Sequence, residues 1–172
     1  MRAMNPQTRF GDPGPGLRDR PWRVLTYEQL GRMQTRPDPD CELTLRLTGS
    51  MSRYMWSFDG TRFSDAEPIE LHLGENVRIT LINDTMMHHP IHLHGQQFKI
   101  LSRTLKIGDT IDSYATVKDG FITSGWKDTV LIMPGEEIEI LKPFEDYKGL
   151  FLYHCHNLEH EDMGMMRNFY VV

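Results

Sequence analysis

The sequence is poor in the features that define several large classes of protein. It has only two cysteines in 172 residues, Cys41 and Cys155, which argues against a disulfide framework. It has no apolar run near the roughly 20 residues that a membrane-spanning helix needs. The net charge is −5 and the basic residues form no stripe, so nothing indicates nucleic acid as a partner. Histidine is the exception, because there are eight and most fall in two short segments.

The start of the chain does not have the pattern of a secretory signal peptide, because no apolar core segment follows Met1. Proline and glycine are frequent in residues 1–22, which predicts an arm or an interdomain linker. Residues 23–172 are long enough for one domain with its own core. We therefore expect either a cytoplasmic protein or, favoured by the linker-like start, the C-terminal piece of a longer one.

Short segments with strand-like patterns dominate the rest of the sequence. Residues 42–48 alternate apolar and polar side chains, as in a half-buried strand. Further strands are predicted at 52–58, 69–73, 76–83, 97–103, 129–133, 136–141, 149–154 and 167–172. Turn signals between them predict an antiparallel β-sandwich or barrel, with short helical pieces only at 26–33 and 157–162. Residues 104–127 show no strand pattern and are predicted to form a long loop.

The segment 153–165, YHCHNLEHEDMGM, combines one thiol, three imidazoles and two thioethers. Two histidines and one cysteine, with a weak axial methionine, are the ligands of blue-copper electron-transfer sites. Successive side chains of a strand point to opposite faces, so the two histidines beside Cys155, His154 and His156, do not share its face. These flanking histidines predict a second copper centre next to the first.

The other histidine-rich segment, residues 86–95, supports this interpretation. His92 and His94 are two residues apart, so both face the same side of an extended segment. One such pair is common on polar strand faces. A second pair with the same spacing, centred on a cysteine, indicates a coupled copper cluster instead.

These motifs resemble those of the C-terminal cupredoxin domain of multicopper oxidases, a family that includes laccases and bacterial copper-resistance oxidases. The resemblance is carried by HPIHLHG at 89–95 and by the cysteine segment from His154 to Met165. The segments RYMWSFDG at 53–60 and NDTMM at 83–87 resemble the copper-resistance branch. The match extends from about residue 42 to the end of the chain. It implies an all-β, cupredoxin-like Greek-key β-sandwich.

The resemblance also implies a role for each matching residue. The type 1 copper ligands would be His89, Cys155, His160 and, in the axial position, Met165. The type 2 copper ligand would be His92, and the type 3 ligands would be His94, His154 and His156. Glu161 matches an acidic position that the family uses for proton delivery during oxygen reduction, and the alternative is a solvated loop carboxylate. Electrons would arrive at an exposed edge of His160 or His89.

The implied function is that of a copper-dependent oxidase. The type 1 copper would take electrons from a small reducing substrate or Cu(I) and pass them through Cys155 to His154 and His156, where a trinuclear centre reduces O2 to water. The family builds that centre from four His-x-His pairs, and this chain contains two. An N-terminal cupredoxin domain or another subunit, including a second copy of the chain, would complete it. The alternative is a stand-alone blue-copper electron carrier. For a full-length parent, the resemblance implies a location outside the cytoplasm.

Overall fold

The structure is a computed structural model that describes residues 12–24, 38–95, 97–105 and 125–172. Ten strands make up most of its regular secondary structure. In chain order, they are β1 (Cys41–Ser50), β2 (Met55–Phe58), β3 (Ile69–Leu71), β4 (Asn76–Asn83), β5 (His89–Leu93), β6 (Lys99–Leu105), β7 (Thr129–Ile132), β8 (Glu136–Pro143), β9 (Gly149–Cys155) and β10 (Met166–Val171). A 3₁₀ turn (Phe63–Asp65) and helix α1 (Leu158–Asp162) accompany them. No helix in these residues is long and apolar enough to cross a membrane.

The strands form two five-stranded sheets. Their orders are β2-β1-β4-β8-β6 and β3-β10-β9-β5-β7. This confirms the predicted all-β sandwich. The predicted antiparallel pairing holds for most of the strand pairs, but β1 pairs with β4, and β3 with β10, in parallel. Apolar alternation along one strand carries no information about the direction of its neighbours, so these parallel pairs could not be recognised in the sequence.

The core lies between the two sheets and follows from strand alternation. In β4, every second side chain is buried, including Val77, Ile79 and Leu81. The neighbouring β8 buries Ile138 and Ile140 in the same way. Each such side chain contributes about 1.5–3 kcal/mol when it leaves water. The alternation therefore determines which face of each sheet points inward.

The strand that carries two of the candidate ligands, β5, was not among the predicted strands. It contains Pro90, which has no N–H to donate and normally argues against a central strand. Here β5 is central, paired with β7 on one side and β9 on the other, and the carbonyl of Pro90 accepts a hydrogen bond from the His156 N–H at 2.6 Å. Long-range pairing therefore overrides the local signal.

The two predicted helical pieces have different outcomes. The piece at 157–162 is present as α1, whereas the piece at 26–33 lies outside the described residues. Most of the predicted long loop at 104–127 also lies outside them. The described residues at its two ends are the last residues of β6 and the residues from 125 onward.

The chain divides into two units, and both sheets belong to the unit formed by residues 35–108 and 126–172. The other unit comprises residues 1–34 and 109–125. Its described part contains a turn closed by the Leu17 N–H to Gly14 carbonyl hydrogen bond, and Arg18 donates to Asp12 at 2.9 Å. The division into an arm at 1–22 and a domain at 23–172 stays a prediction.

Candidate metal centre

Two adjacent strands position most of the candidate ligands. In the pairing of β5 with β9, Ile91 lies opposite Cys155 and His92 lies opposite His154. Cys155 is fully buried on the inner face of the sheet, with Ile91 beside it in the core. The next side chain along, His154, points outward toward the side chain of His92. The predicted separation of Cys155 from its neighbours onto opposite faces is therefore present.

The inner group consists of His89, Cys155 and His160. The Cys155 Sγ lies 3.6 Å from Nδ1 of His89 and 3.6 Å from Nδ1 of His160. The two Nδ1 atoms are 3.0 Å apart. All three side chains are buried, and Met165, which is also fully buried, lies in the same core. The structure thus brings three of the four residues that the resemblance assigns to a type 1 site into one group, and a backbone hydrogen bond holds the fourth, Met165, beside Cys155.

The connection from β9 to β10 brings the later ligands back to the cysteine. Asn157 caps α1, with its side chain accepting from the Glu159 N–H at 3.2 Å. After this single turn of helix, Gly164 adopts a φ of +106°, which a residue with a Cβ rarely adopts. The chain then returns, and the Cys155 N–H donates to the Met165 carbonyl at 3.0 Å. A short capped helix followed by a glycine reversal explains the spacing of His160 and Met165.

Burial controls the protonation of the inner group. Burial, together with the smaller effects of the neighbouring His160 and His88, lowers the pKa of His89 to about 3. It also lowers the pKa of His160 and raises the pKa of the Cys155 thiol to about 11. The metal-free group is therefore two neutral imidazoles and a thiol at neutral pH. A metal has to displace the thiol proton, so its affinity should fall as the pH falls.

The donor set and its dimensions fit a copper ion. Zinc, a guide to other first-row metals, binds imidazole nitrogen and thiolate sulfur at about 2.0–2.3 Å, so trigonal ligand atoms lie roughly 3.5–3.7 Å apart. The two sulfur–nitrogen distances of 3.6 Å match this separation. The nitrogen–nitrogen distance of 3.0 Å is shorter and suits a hydrogen bond in the metal-free protein. Two histidines, a cysteine and a nearby methionine are the ligand set that selects blue copper.

The outer group consists of His92, His94 and His154, whose ligand atoms all lie within 4.8 Å of one another. The Nε2 atoms of His94 and His154 are 3.0 Å apart. His92 can donate through Nδ1 to the Asp128 carbonyl at 2.9 Å, which leaves its Nε2 available to a metal. A histidine triad of this kind fits part of a trinuclear copper site.

His156 and Glu161 lie at the edges of the outer group. His156 is exposed, with its ring centroid 5.5 Å from that of His154 and 5.7 Å from that of His92, and it is not part of the compact triad. The Glu161 side chain is only 23% exposed, and its Oε2 lies 3.2 Å from Nδ1 of His154. The carboxylate therefore contacts a candidate ligand, which distinguishes it from a freely solvated loop residue.

The expected exposed edge of the inner group is absent. His89 is 0% and His160 is 1% exposed, so the expectation that one of these imidazoles has an exposed edge was wrong. The buried indole of Trp56 covers both rings, with ring centroids 4.2 Å from His160 and 5.2 Å from His89. Glycine at position 49 leaves room for this indole, since a Cβ there would lie 2.2 Å from it. The two imidazoles are therefore shielded from solvent.

Two further residues at the inner group were not recognised as functional in the sequence. Thr85 Oγ1 lies 2.7 Å from Nε2 of His89, and Asn83 in turn contacts Thr85. The available signal was weak, namely an asparagine at the end of a strand, followed by a threonine four residues before a candidate ligand. A short polar segment of that kind is also typical of an ordinary turn.

Comparison with known proteins agrees with this geometry. A family model described as "Multicopper oxidase" matches residues 36–172. Copper resistance protein A of Pseudomonas syringae pv. tomato is 41% identical over 170 residues, which cover 97% of this chain and 25% of that protein. Copper resistance protein A of Escherichia coli gives the same identity and coverage. The solved structure of the multicopper oxidase from Campylobacter jejuni, a metallo-oxidase, aligns over 87% of this chain and 34% of its own, with 25% identity and a TM-score of 0.66.

The chain spans about a quarter of the length of these curated relatives. Within that span, the match includes both candidate metal groups and all ten of the described strands. The sequence motifs, the β-sandwich and the ligand geometry therefore agree with the comparisons, and the chain belongs to the multicopper oxidase family.

Proposed function

We propose that this chain supplies the electron-accepting site and half of the oxygen-reducing centre of a multicopper oxidase. The observation that carries the proposal is the position of Cys155 between two candidate metal groups. Its thiol belongs to the inner group, while the imidazole of His154, one peptide bond away, belongs to the outer group. A pure electron carrier would have no use for the outer group.

The residues of the inner group would hold a type 1 copper. His89, Cys155 and His160 would provide the trigonal ligands, and Met165 the weak axial ligand. Of the outer residues, His92 would serve the type 2 copper, and the type 3 coppers would take His94, His154 and His156. Bound copper would supply one-electron redox chemistry, and four electrons with four protons convert O2 to two waters.

The protein's own groups would control the protons in this reaction. Glu161 lies 3.2 Å from His154, so its carboxylate is placed to hold a proton next to the outer group. His154 would keep its Nδ1 directed to that carboxylate or to the Cys155 carbonyl, 3.1 Å away, with Nε2 turned to the metal side. Glu161 is therefore our candidate for proton delivery.

A second protein surface would complete the outer group. The face of the sheet that bears His92 and His154 also presents Leu150 and Tyr170, which are 60% and 45% exposed. Leu150 lies four residues before His154 in β9, so these exposed apolar side chains and the incomplete ligand cluster share one face, as expected of a surface that another domain or subunit covers. An N-terminal cupredoxin domain, with two further histidine pairs, is the partner that we propose. The reductant would be a small molecule or Cu(I), in line with the copper-resistance relatives.

Copper stoichiometry with EPR on the purified chain tests this proposal. We expect one type 1 signal per chain and no O2 consumption by the isolated monomer, because the outer group is incomplete. Oxygen consumption should require the partner domain or assembly into an oligomer. The absence of any type 1 signal would refute the assignment of the inner group, and O2 reduction by a copper-loaded monomer would refute the shared centre.

The axial role of Met165 leads to a separate expected result. Met165→Leu should keep the blue colour but raise the reduction potential, because it removes the weak thioether ligand that tunes the copper. Leucine has a similar volume, so the buried site should stay packed. Redox titration followed by the thiolate-to-copper absorption measures the change. A Met163→Leu control, at an exposed neighbour, should leave the potential unchanged. An unchanged or lower potential in Met165→Leu would rule out the axial assignment.

A further inference from the structure

A series of buried hydrogen bonds leads away from the inner group toward the sheet that contains β4. Nε2 of His89 lies 2.7 Å from Oγ1 of Thr85. The same hydroxyl lies 2.8 Å from Oδ1 of Asn83, and all three side chains are buried. Asn83 ends β4, and His89 begins β5 in the other sheet. This series of hydrogen bonds thus connects a candidate copper ligand to the other sheet of the sandwich.

Two backbone carbonyls determine the orientation of the Asn83 amide, because a carbonyl oxygen can accept a hydrogen bond but cannot donate one. Its Nδ2 donates to the carbonyls of Met87 at 2.8 Å and of Ile132 at 3.2 Å. Its Oδ1 accepts from the backbone N–H of Thr85 at 2.9 Å. A flipped amide would place oxygen against two carbonyl oxygens. Oδ1 therefore faces the Thr85 hydroxyl.

The Thr85 hydroxyl has one hydrogen to donate, and two oxygen atoms that can accept it lie within hydrogen-bond distance. One is Oδ1 of Asn83 at 2.8 Å and the other is the Met87 carbonyl at 3.1 Å. If the hydrogen pointed to His89 instead, Oγ1 would face both oxygens with no proton between them. The hydrogen is thus directed to an oxygen, and Oγ1 is left to accept from Nε2–H of His89.

We propose that Asn83 and Thr85 are positioning residues that hold His89 as its Nε2–H tautomer in the metal-free protein. The lone pair of Nδ1 then faces Cys155 and His160 before any metal arrives. The inference rests on the proposed function only in taking the inner group as the metal site, since the tautomer follows from the hydrogen bonds alone. Outer hydrogen bonds of this kind fix the orientation of metal-binding histidines.

The same chain of hydrogen bonds assigns a proton to the second histidine. The Nδ1 atoms of His89 and His160 are 3.0 Å apart, so one of them has to carry a hydrogen in the metal-free protein. With His89 as acceptor, the hydrogen resides on Nδ1 of His160. His160 therefore has to change its tautomer when a metal binds between them, whereas His89 does not.

Long-range 1H–15N correlation spectra of the metal-free, full chain at neutral pH test the tautomers directly. We expect His89 to be protonated on Nε2 and His160 on Nδ1. Protonation of His89 on Nδ1 would overturn the inference. This measurement does not depend on copper. A wild-type chain with the expected tautomers that forms no blue site would thus disprove the proposed function and leave the inference standing.

A pair of variants at Thr85 tests the consequence for metal binding. Thr85→Val keeps the shape but removes the hydroxyl, and we expect its affinity for copper at the inner group to fall about 10–100-fold. Thr85→Ser keeps the hydroxyl and should bind like the wild type. Titration with Cu(II), followed by the thiolate-to-copper absorption, reports only the site that contains Cys155. Thermal unfolding of the metal-free proteins checks that each variant is folded. Equal copper affinity of folded Thr85→Val and the wild type would refute the positioning role.

Discussion

Cys155→Ser should lose the blue colour completely. The intense absorption of a type 1 site comes from charge transfer between a thiolate and copper, and Cys155 supplies the thiol of the inner group. A serine hydroxyl does not ionise near neutral pH and is a poor ligand for copper in this geometry. We therefore expect no thiolate-to-copper band and no type 1 EPR signal from copper-loaded Cys155→Ser, and any copper bound at the outer histidines gives a different EPR signal.

The second cysteine offers a matched control. Cys41 is a free, half-buried residue at the start of β1, and it belongs to neither candidate metal group in the described residues. Cys41→Ser should keep the full absorption and the same EPR signal. A blue Cys155→Ser protein, or a colourless Cys41→Ser protein that is folded, would show that the inner group is assigned incorrectly.

Glu136→Ala should destabilise the domain by about 3–5 kcal/mol, the usual cost of removing one partner of a buried ion pair. The Glu136 and Arg103 side chains are 3% and 1% exposed, and Oε1 accepts from Nη1 at 3.0 Å. The other oxygen of Glu136 accepts from the Met133 N–H at 2.9 Å. Arg103 also donates to the Leu131 carbonyl at 3.1 Å. The pair therefore joins β6 and the start of β8 to β7, a strand of the other sheet.

A surface ion pair provides the comparison. Glu42 pairs with Arg78 at 3.0 Å, but its side chain is 67% exposed. Such pairs contribute about 0–1 kcal/mol, so Glu42→Ala should change stability little. Urea unfolding of the metal-free proteins gives both free energies. A loss of 3–5 kcal/mol is a large part of the roughly 5–15 kcal/mol that stabilises a typical domain. Equal and small losses in the two variants would contradict the buried-pair argument.

The candidate ligands were recognisable in the sequence because their chemistry depends on local spacing. His154, Cys155 and His156 are consecutive, and strand alternation alone predicts that the cysteine faces away from its neighbours. The same rule predicts that His92 and His94 share a face. The structure places both arrangements as expected, with the inner and outer groups on opposite faces of the sheet. Residue type and a two-residue period were sufficient for this part.

Other features depend on contacts between distant parts of the chain. The covering of His160 by Trp56 joins residues 104 positions apart, and it turned an expected exposed edge into a buried one. The central position of β5, despite Pro90, results from pairing with β7 and β9. Local patterns do not contain such pairings, because they describe one strand at a time.

By itself, the sequence determined the all-β class, the two histidine pairs, the cysteine inside the second pair and the family that these motifs identify. Ligand types and side-chain alternation depend only on residues that are close together in the sequence, so the sequence is enough to recognise them. Only the tertiary structure decided that the inner ligands are shielded from solvent, that Asn83 and Thr85 reach His89, and that the outer group is a compact triad with His156 at its edge. The first two features arise when the two sheets pack together, and the third arises when β5 pairs with β9, because packing and pairing set which distant side chains touch.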